Sequence, residues 1–160
     1  MKKIEISTSL TIYNSVSELP TDVQELVKNA AEARKTAYAP YSNFNVGVAL
    51  LLENGKIISG SNQENAAYPS GICAERVAIW KAASDYPNVK VLKLVITASS
   101  KNKTVDSPVS PCGSCRQTLF EYETKQNELI EIYFMGETGK IFKTDSLKDL
   151  LPVAFSKILL

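Results

Sequence analysis

The stretch "PSGICAERVAIWKAASDY", residues 69–86, joins a cysteine, a glutamate two positions later and a helical pattern. Good helix formers separate apolar residues that recur at helical spacing, so the stretch predicts a helix with Cys73 at or just before its start. Pro69 and Gly71 fix the backbone before it. The apolar residues on one face of this helix are Ala74, Val77, Ala78 and Ala82.

The same layout recurs farther along the chain. Residues 89–99, "VKVLKLVITAS", are almost continuously apolar, which is typical of a strand covered on both faces. A loop with two prolines follows, and residues 112–123, "CGSCRQTLFEYE", predict a second helix that begins at two cysteines. Both helices therefore start at cysteine.

The rest of the chain alternates between helical and strand patterns. Residues 19–41 predict an amphipathic helix that Thr21 or Asp22 caps and Pro40 ends. Two apolar runs within 44–61 flank an Asn-Gly pair suited to a tight hairpin. A further strand at 129–135, a turn at 136–140 and a short helix at 147–155, broken by Pro152, complete the pattern. The alternation predicts an α/β protein with one mixed sheet.

Composition limits the classes of function. With 160 residues and 44% hydrophobic content, the chain predicts a single domain over residues 1–160, in which residues 1–20 are an extension that could add a strand or cover an interface. The net charge is +1 and the basic residues are scattered, so we expect no nucleic-acid partner. No apolar stretch reaches membrane-spanning length, so we expect no membrane partner and a cytoplasmic protein.

The cysteine and histidine counts narrow the chemistry. Without any histidine, Ser-His and Cys-His nucleophilic pairs are excluded. Three cysteines, an odd number, argue against a disulfide framework. A reducing compartment would keep these thiols available as metal ligands or nucleophiles.

The cysteine spacing indicates a metal site. Cys112 and Cys115 are separated by two residues, which suits metal binding, a redox dithiol or half of a structural zinc site. Cys73, at another helix start, is a third soft ligand. Three protein ligands around a four-coordinate metal leave one coordination position open. Structural zinc sites are normally closed by four protein ligands. Glu75 could close this one, handle protons beside the metal, or simply favour the helix N-terminus.

Arg76 suits a role beside the sulfurs. Three thiolates around a doubly charged zinc leave a formal charge of −1, which weakens the metal as a Lewis acid. A guanidinium donating hydrogen bonds to thiolates would offset that charge, so Arg76 is a candidate for tuning the metal. An arginine in a first helical turn also commonly faces solvent.

These motifs match a known pattern. Zinc deaminases combine a three-ligand zinc site with a nearby glutamate that is not a ligand. The sequence resembles the small, homotetrameric cytidine deaminases over about residues 22 to 156, in family order and with family-like gaps. The segments that carry the resemblance are "AYAPYSNFNVGVALL" (37–51), "NQENAAY" (62–68), "CAERVA" (73–78), "SPCGSCRQ" (110–117) and "LLPVAFS" (150–156).

The resemblance implies a three-layer α/β/α sandwich with a mixed five-stranded sheet, one Zn²⁺ per subunit and a homotetramer. It also implies deamination of cytidine and deoxycytidine to uridine and deoxyuridine, a pyrimidine salvage reaction. Cys73, Cys112 and Cys115 would hold the metal. Glu75 would transfer the protons, and Arg76 would offset the charge of the sulfurs.

The resemblance also implies a substrate site. Phe44 would pack against the pyrimidine, Asn62 and Glu64 would hydrogen-bond the sugar hydroxyls, and the backbone of Ala74 would meet the base. The family residues similar to Tyr68 and Phe155 help complete a neighbouring subunit's pocket. Each position also has an ordinary interpretation, as core packing for the aromatic residues or as a solvated turn for Asn62 and Glu64.

Three alternatives remain open from sequence. Within the same chemistry, the substrate could be another aminopyrimidine nucleoside such as blasticidin S, although Asn62 and Glu64 argue against it. A nonenzymatic, zinc-stabilised interaction domain would have a closed metal site. A nucleic-acid-editing deaminase is disfavoured by the near-neutral charge.

Overall fold

A computed structural model describes residues 1–156. Its regular elements alternate along the chain, as the sequence pattern predicts. In chain order they are β1 (Thr11–Tyr13), α1 (Thr21–Arg34), β2 (Phe44–Leu52), β3 (Ile57–Ser61), α2 (Ala74–Asp85), β4 (Val91–Ser100), α3 (Gly113–Gln126), β5 (Glu131–Met135), β6 (Ile141–Thr144) and α4 (Leu147–Leu150).

The strands form one mixed sheet in the order β1-β6-β5-β4-β2-β3. Only β4 and β5 pair in parallel, and the other neighbours are antiparallel. Val48 and Leu50 of β2 pack in a cluster with α2, α3 and α4, whereas Ala49 between them packs with α1. Because neighbouring strand residues point to opposite faces, helices cover both sides of the sheet. The predicted α/β/α class is confirmed.

The sheet has six strands, one more than the resemblance implies. The additional strand is β1, which lies in the extension and pairs with β6 at the edge of the sheet. Tyr13 anchors it on one face, with its ring 6.4 Å from that of Tyr133. Of the two roles considered for residues 1–20, the addition of a strand is the one observed. A strand of three residues is too short to give a clear alternating pattern.

The first helix ends earlier than predicted. α1 stops at Arg34, before Pro40, and its N-cap is Pro20 rather than Thr21 or Asp22. After the helix, the backbone N–H of Tyr38 donates to the carbonyl of Asn62 at 3.0 Å, and the N–H of Glu64 donates to the carbonyl of Tyr38 at 2.8 Å. These bonds replace further helical turns and bring the segment before β2 beside residues 62–64.

The hairpin between β2 and β3 confirms the predicted turn. Gly55 carries the positive φ, 78°, that this turn requires. The short C-terminal helix also forms, and α4 ends at Leu150 before Pro152. Each helix in residues 1–156 is too short or too polar to span a bilayer.

A glycine in β3 allows α2 to lie directly against the sheet. A Cβ atom at Gly60 would be 2.7 Å from the backbone nitrogen of Ala78 and 2.8 Å from the carbonyl oxygen of Ala74. Both contacts are with backbone atoms of α2, which cannot rotate away. Gly60 therefore fixes the distance between the sheet and the helix that begins after Cys73.

We predict that Gly60→Ala lowers the free energy of unfolding by about 2 kcal/mol, because the added methyl group overpacks a backbone contact. Ser59→Ala, at the preceding position on the opposite face of β3, is the control and should change it by less than about 0.5 kcal/mol. Urea unfolding at fixed protein concentration measures both. Equal stability of the Gly60→Ala variant and the wild type would show that α2 is free to move outward.

Candidate metal centre and adjoining cavity

Two helix N-termini bring the three cysteines together. Cys73 is the N-cap of α2, Cys112 is the N-cap of α3, and Cys115 lies in the first turn of α3. The sulfur of Cys112 is 4.0 Å from that of Cys73 and 3.6 Å from that of Cys115. All three sulfurs lie within 4.8 Å of one another, so they are positioned to bind one metal ion.

The chemistry of these donors fits zinc. A hydrogen bond from the Cys115 thiol lowers the pKa of Cys73 to about 5, with help from Arg76, and the same pairing raises the pKa of Cys115. Without a cation, Cys73 is therefore a thiolate that shares the proton of the Cys115 thiol. A zinc ion stabilises thiolates and accepts this ligand type in tetrahedral geometry.

The ligand group contains only sulfur. Among residues 1–156, the cluster of potential ligands holds three cysteines and no carboxylate, so Glu75 stands beside the group rather than in it. Four-coordinate zinc held by three protein ligands keeps a position for water or substrate. This arrangement is typical of catalytic rather than structural zinc sites.

Glu75 is buried in the first turn of α2, with 5% of its surface exposed, and it lines the cavity beside the sulfurs. Burial raises the pKa of its carboxyl group to about 7, and the neighbouring Cys73 thiolate adds to this effect. Hydrogen bonds from its own backbone N–H and from Cys115 act in the opposite direction. A carboxyl group with a pKa near neutrality can both accept and donate protons.

Arg76 lies beside the sulfurs, as the sequence analysis predicts. Its Nη2 atom is 3.6 Å from the Cys73 sulfur. Donation to this thiolate raises the pKa of the guanidinium. The other arginine near the cluster, Arg116, instead donates to the carbonyls of Pro111 and Leu150 and connects the start of α3 to the C-terminal segment.

A cavity of about 640 Å³ extends from the sulfurs toward the loop before β2. It brings together most of the predicted site residues. Phe44, Phe155 and Cys115 are not among its lining residues. Phe44 is half-buried at the start of β2, Phe155 is 57% exposed, and Cys115 is fully buried beside the other two sulfurs. The predicted residues that line the cavity are Cys73, Ala74, Glu75, Arg76, Cys112, Asn62, Glu64 and Tyr68.

The part of the cavity wall formed by Asn62 and Glu64 is polar and held in place. The carboxylate of Glu64 accepts hydrogen bonds from the Ser42 hydroxyl at 2.5 Å and from the backbone N–H of Tyr41 at 3.0 Å. These bonds lower its pKa. The side chain of Asn62 accepts from the N–H of Val46 and donates to the carbonyl of Phe44. Both side chains are thus oriented by the segment before β2 and by β2 itself.

Two further residues, Ser42 and Tyr41, orient Glu64 and line the cavity, and no motif in the sequence marks them as site residues. The Ser-Asn pair at 42 and 43, directly before the apolar run of β2, is typical of a turn whose side chains bond nearby backbone. That pattern predicts a turn, but it does not identify a carboxylate 22 residues later as the partner.

Comparison with known proteins defines the class. The family model "Cytidine and deoxycytidylate deaminase zinc-binding region" matches residues 20–130. A cytidine deaminase of Sporosarcina psychrophila is 43% identical over 136 residues, which cover 85% of this chain and 93% of that protein. The chain therefore belongs to the cytidine and deoxycytidylate deaminase zinc-binding family, as its resemblance predicts.

The fold supports the same assignment. The crystal structure of cytidine deaminase from Burkholderia pseudomallei superposes with a TM-score of 0.72 at 35% identity, covering 86% of this chain and all of that one. A blasticidin-S deaminase of Bacillus cereus is 30% identical over 140 residues, covering 83% of this chain and 91% of that protein. It is a more distant relative than the Sporosarcina protein.

Proposed function

We propose that this protein is a zinc-dependent hydrolase that deaminates cytidine and deoxycytidine to uridine and deoxyuridine in pyrimidine salvage. The observation that carries the proposal is the opening of a buried carboxyl group, Glu75, into the same cavity as the sulfur cluster. Family membership and relatives named cytidine deaminase support this choice.

In this proposal, Cys73, Cys112 and Cys115 hold one zinc ion per subunit. Zinc bound there supplies the Lewis acid that makes water acidic enough to act as a nucleophile near neutral pH. Glu75 accepts one proton from the attacking water and delivers it to ring nitrogen 3. It then accepts the second proton, from the hydroxyl group added at carbon 4, and delivers it to the departing amine as the carbonyl forms. Its burial suits these transfers because the carboxyl group can reside in either protonation state.

Substrate orientation follows from the two ends of the cavity. The base lies toward the sulfurs, against the backbone of Ala74, and the sugar lies toward Asn62 and Glu64. The Asn62 amide uses one of its two hydrogens on the carbonyl of Phe44, which leaves the second for a sugar hydroxyl. Phe44 packs against the pyrimidine in this proposal. Because Phe44 does not line the cavity in the structure, its side chain must turn toward the base when substrate binds.

Charge favours a nucleoside over a nucleotide. Among the described residues that line the cavity, Arg76 is the only cation, and it is bound to the sulfur of Cys73. The other end carries the anionic Glu64. A 5′-phosphate near the sugar would meet this carboxylate and find no arginine or lysine to pair with.

The same features rank the alternatives. Blasticidin S deamination needs the same metal chemistry, but the sugar-facing pair favours a ribose or deoxyribose. A nonenzymatic zinc-stabilised domain would not need a buried carboxyl group beside a metal site with only three protein ligands. An editing deaminase needs a basic groove with stacking aromatic residues, and the net charge of +1 does not favour one.

We also propose a cytoplasmic homotetramer in which Tyr68 and Phe155 complete a neighbouring subunit's cavity. In the single chain, 75% of Tyr68 and 57% of Phe155 are exposed. Tyr68 lines the cavity mouth, with its ring 6.0 Å from that of Tyr41. Burial of these rings against another subunit would stabilise the assembly. The three reduced cysteines fit a reducing compartment.

We predict that Glu75→Gln lowers kcat for cytidine about 1,000-fold, because the amide cannot accept and deliver protons. Zinc content and nucleoside affinity should stay near wild type, since the ligand group contains no carboxylate from Glu75. The exposed Glu121→Gln variant is the matched control and should keep full turnover. The decrease in ultraviolet absorbance measures the reaction, and undiminished deamination by Glu75→Gln would refute the assigned role.

A panel of substrates tests the proposed substrate class and the placement of the sugar beside Glu64. We expect turnover of cytidine and deoxycytidine, and little or none of deoxycytidine monophosphate, blasticidin S or single-stranded DNA. Glu64→Gln should raise KM for cytidine about tenfold, because it removes a charge-assisted hydrogen bond to the sugar, while turnover of free cytosine stays at its wild-type level. A preference for the monophosphate or for blasticidin S would contradict the proposed substrate class.

We predict a mass of four chains by sedimentation and a roughly tenfold lower kcat/KM for Phe155→Ala, since the partner's cavity loses an aromatic wall. Zinc content should be unchanged, because Phe155 is not among the sulfur ligands. Val153→Ala, at an exposed position two residues earlier, is the control. A fully active monomer would exclude a shared cavity.

A further inference from the structure

Trp80 lies on α2 one turn beyond Arg76 and is not explained by core packing. It is 46% exposed, although an indole of this size gains most by burial. The central guanidinium carbon of Arg76 lies 5.9 Å from the centre of the Trp80 ring. The spacing of four residues places both side chains on the same face of the helix.

The guanidinium needs a second anchor. Its Nη2 atom contacts the Cys73 sulfur at 3.6 Å, a long contact to a weak acceptor. Its Nε atom is buried and has no hydrogen-bond partner among the described residues. Arginine is a long side chain with considerable rotamer freedom, so one sulfur contact does not fix it. The Trp80 ring gives the guanidinium a further contact, a cation–π interaction at 5.9 Å from the ring centre.

We propose that Trp80 is a positioning residue that holds the Arg76 guanidinium against the Cys73 sulfur and so adjusts how strongly that sulfur donates to the bound metal. A donor at the thiolate withdraws electron density from the metal–sulfur bond. With the ring in place, Arg76 offsets the excess charge of three thiolates. Without it, the guanidinium turns toward solvent and the sulfurs donate more strongly.

The role in turnover rests on the proposed function, but the role at the sulfur does not, so the test measures the metal–sulfur bond itself. Zinc is removed by a chelator and replaced by cobalt(II), whose sulfur-to-metal charge-transfer absorption moves to longer wavelength as the thiolates become more electron-rich. The shift of this band in Arg76→Gln measures the full effect of losing the guanidinium. We expect Trp80→Leu to shift the band by at least half as much. Trp80→Phe keeps an aromatic ring, so its band should stay near the wild-type wavelength.

Turnover and stability complete the comparison. Trp80→Leu should lower kcat for cytidine about fivefold, the size expected for loss of one cation–π contact, and leave KM nearly unchanged. Lys81→Ala, the next and exposed residue of α2, is the control and should move neither the band nor kcat. A purely structural role for Trp80 would lower the melting temperature of the Leu variant without moving the band.

Two results would overturn the proposal. One is a Trp80→Leu band at the wild-type position. The other concerns the double variant Trp80→Leu/Arg76→Gln. A cobalt band shifted by the sum of the two single-variant shifts would overturn the proposal, because a residue that acts through Arg76 has no further effect once that arginine is removed. Absence of cytidine turnover in the wild type would refute the proposed function, and the cobalt band would still decide the role of Trp80.

Discussion

The convergence of two helix N-termini on one point is the constraint on which the site depends. α2 and α3 begin at cysteines 39 residues apart, and their sulfurs lie 4.0 Å from each other. The partial positive charge of both helix starts faces the cluster, which favours thiolate and offsets part of the charge that three sulfurs bring to a metal. The sheet holds this geometry, because Gly60 allows α2 to approach it closely.

The cavity then separates two kinds of chemistry. One group of lining residues comprises Cys73, Cys112, the buried Glu75 and the Arg76 guanidinium, and another comprises Asn62 and Glu64, which are oriented by backbone groups. Electrostatic catalysis requires groups that do not reorganise when charge develops. Glu75 meets this requirement through the first turn of α2, Asn62 through its bonds to β2, and Glu64 through its bonds to the segment before β2. Tyr68 and Phe155, which we propose complete a neighbouring subunit's cavity, are exposed in the single chain.

Sequence predicted the parts of this arrangement that depend on local chemistry. The starts of α2 and α3 at cysteines, the Asn-Gly hairpin and the three-cysteine group follow from residue types at fixed spacing. The end of α1 at Arg34 does not, because a long-range bond between Tyr38 and Asn62 replaces the helical pattern. The pairing of β1 and the support of Glu64 by Ser42 depend equally on distant partners. Local patterns contain no information about such partners.

The most direct test of the account is X-ray absorption spectroscopy at the zinc edge of the purified protein. The account predicts one zinc per chain with three sulfur neighbours at about 2.3 Å and one exchangeable oxygen neighbour from water. Protein without zinc, or zinc with a fourth ligand from the chain and no exchangeable neighbour, would contradict it.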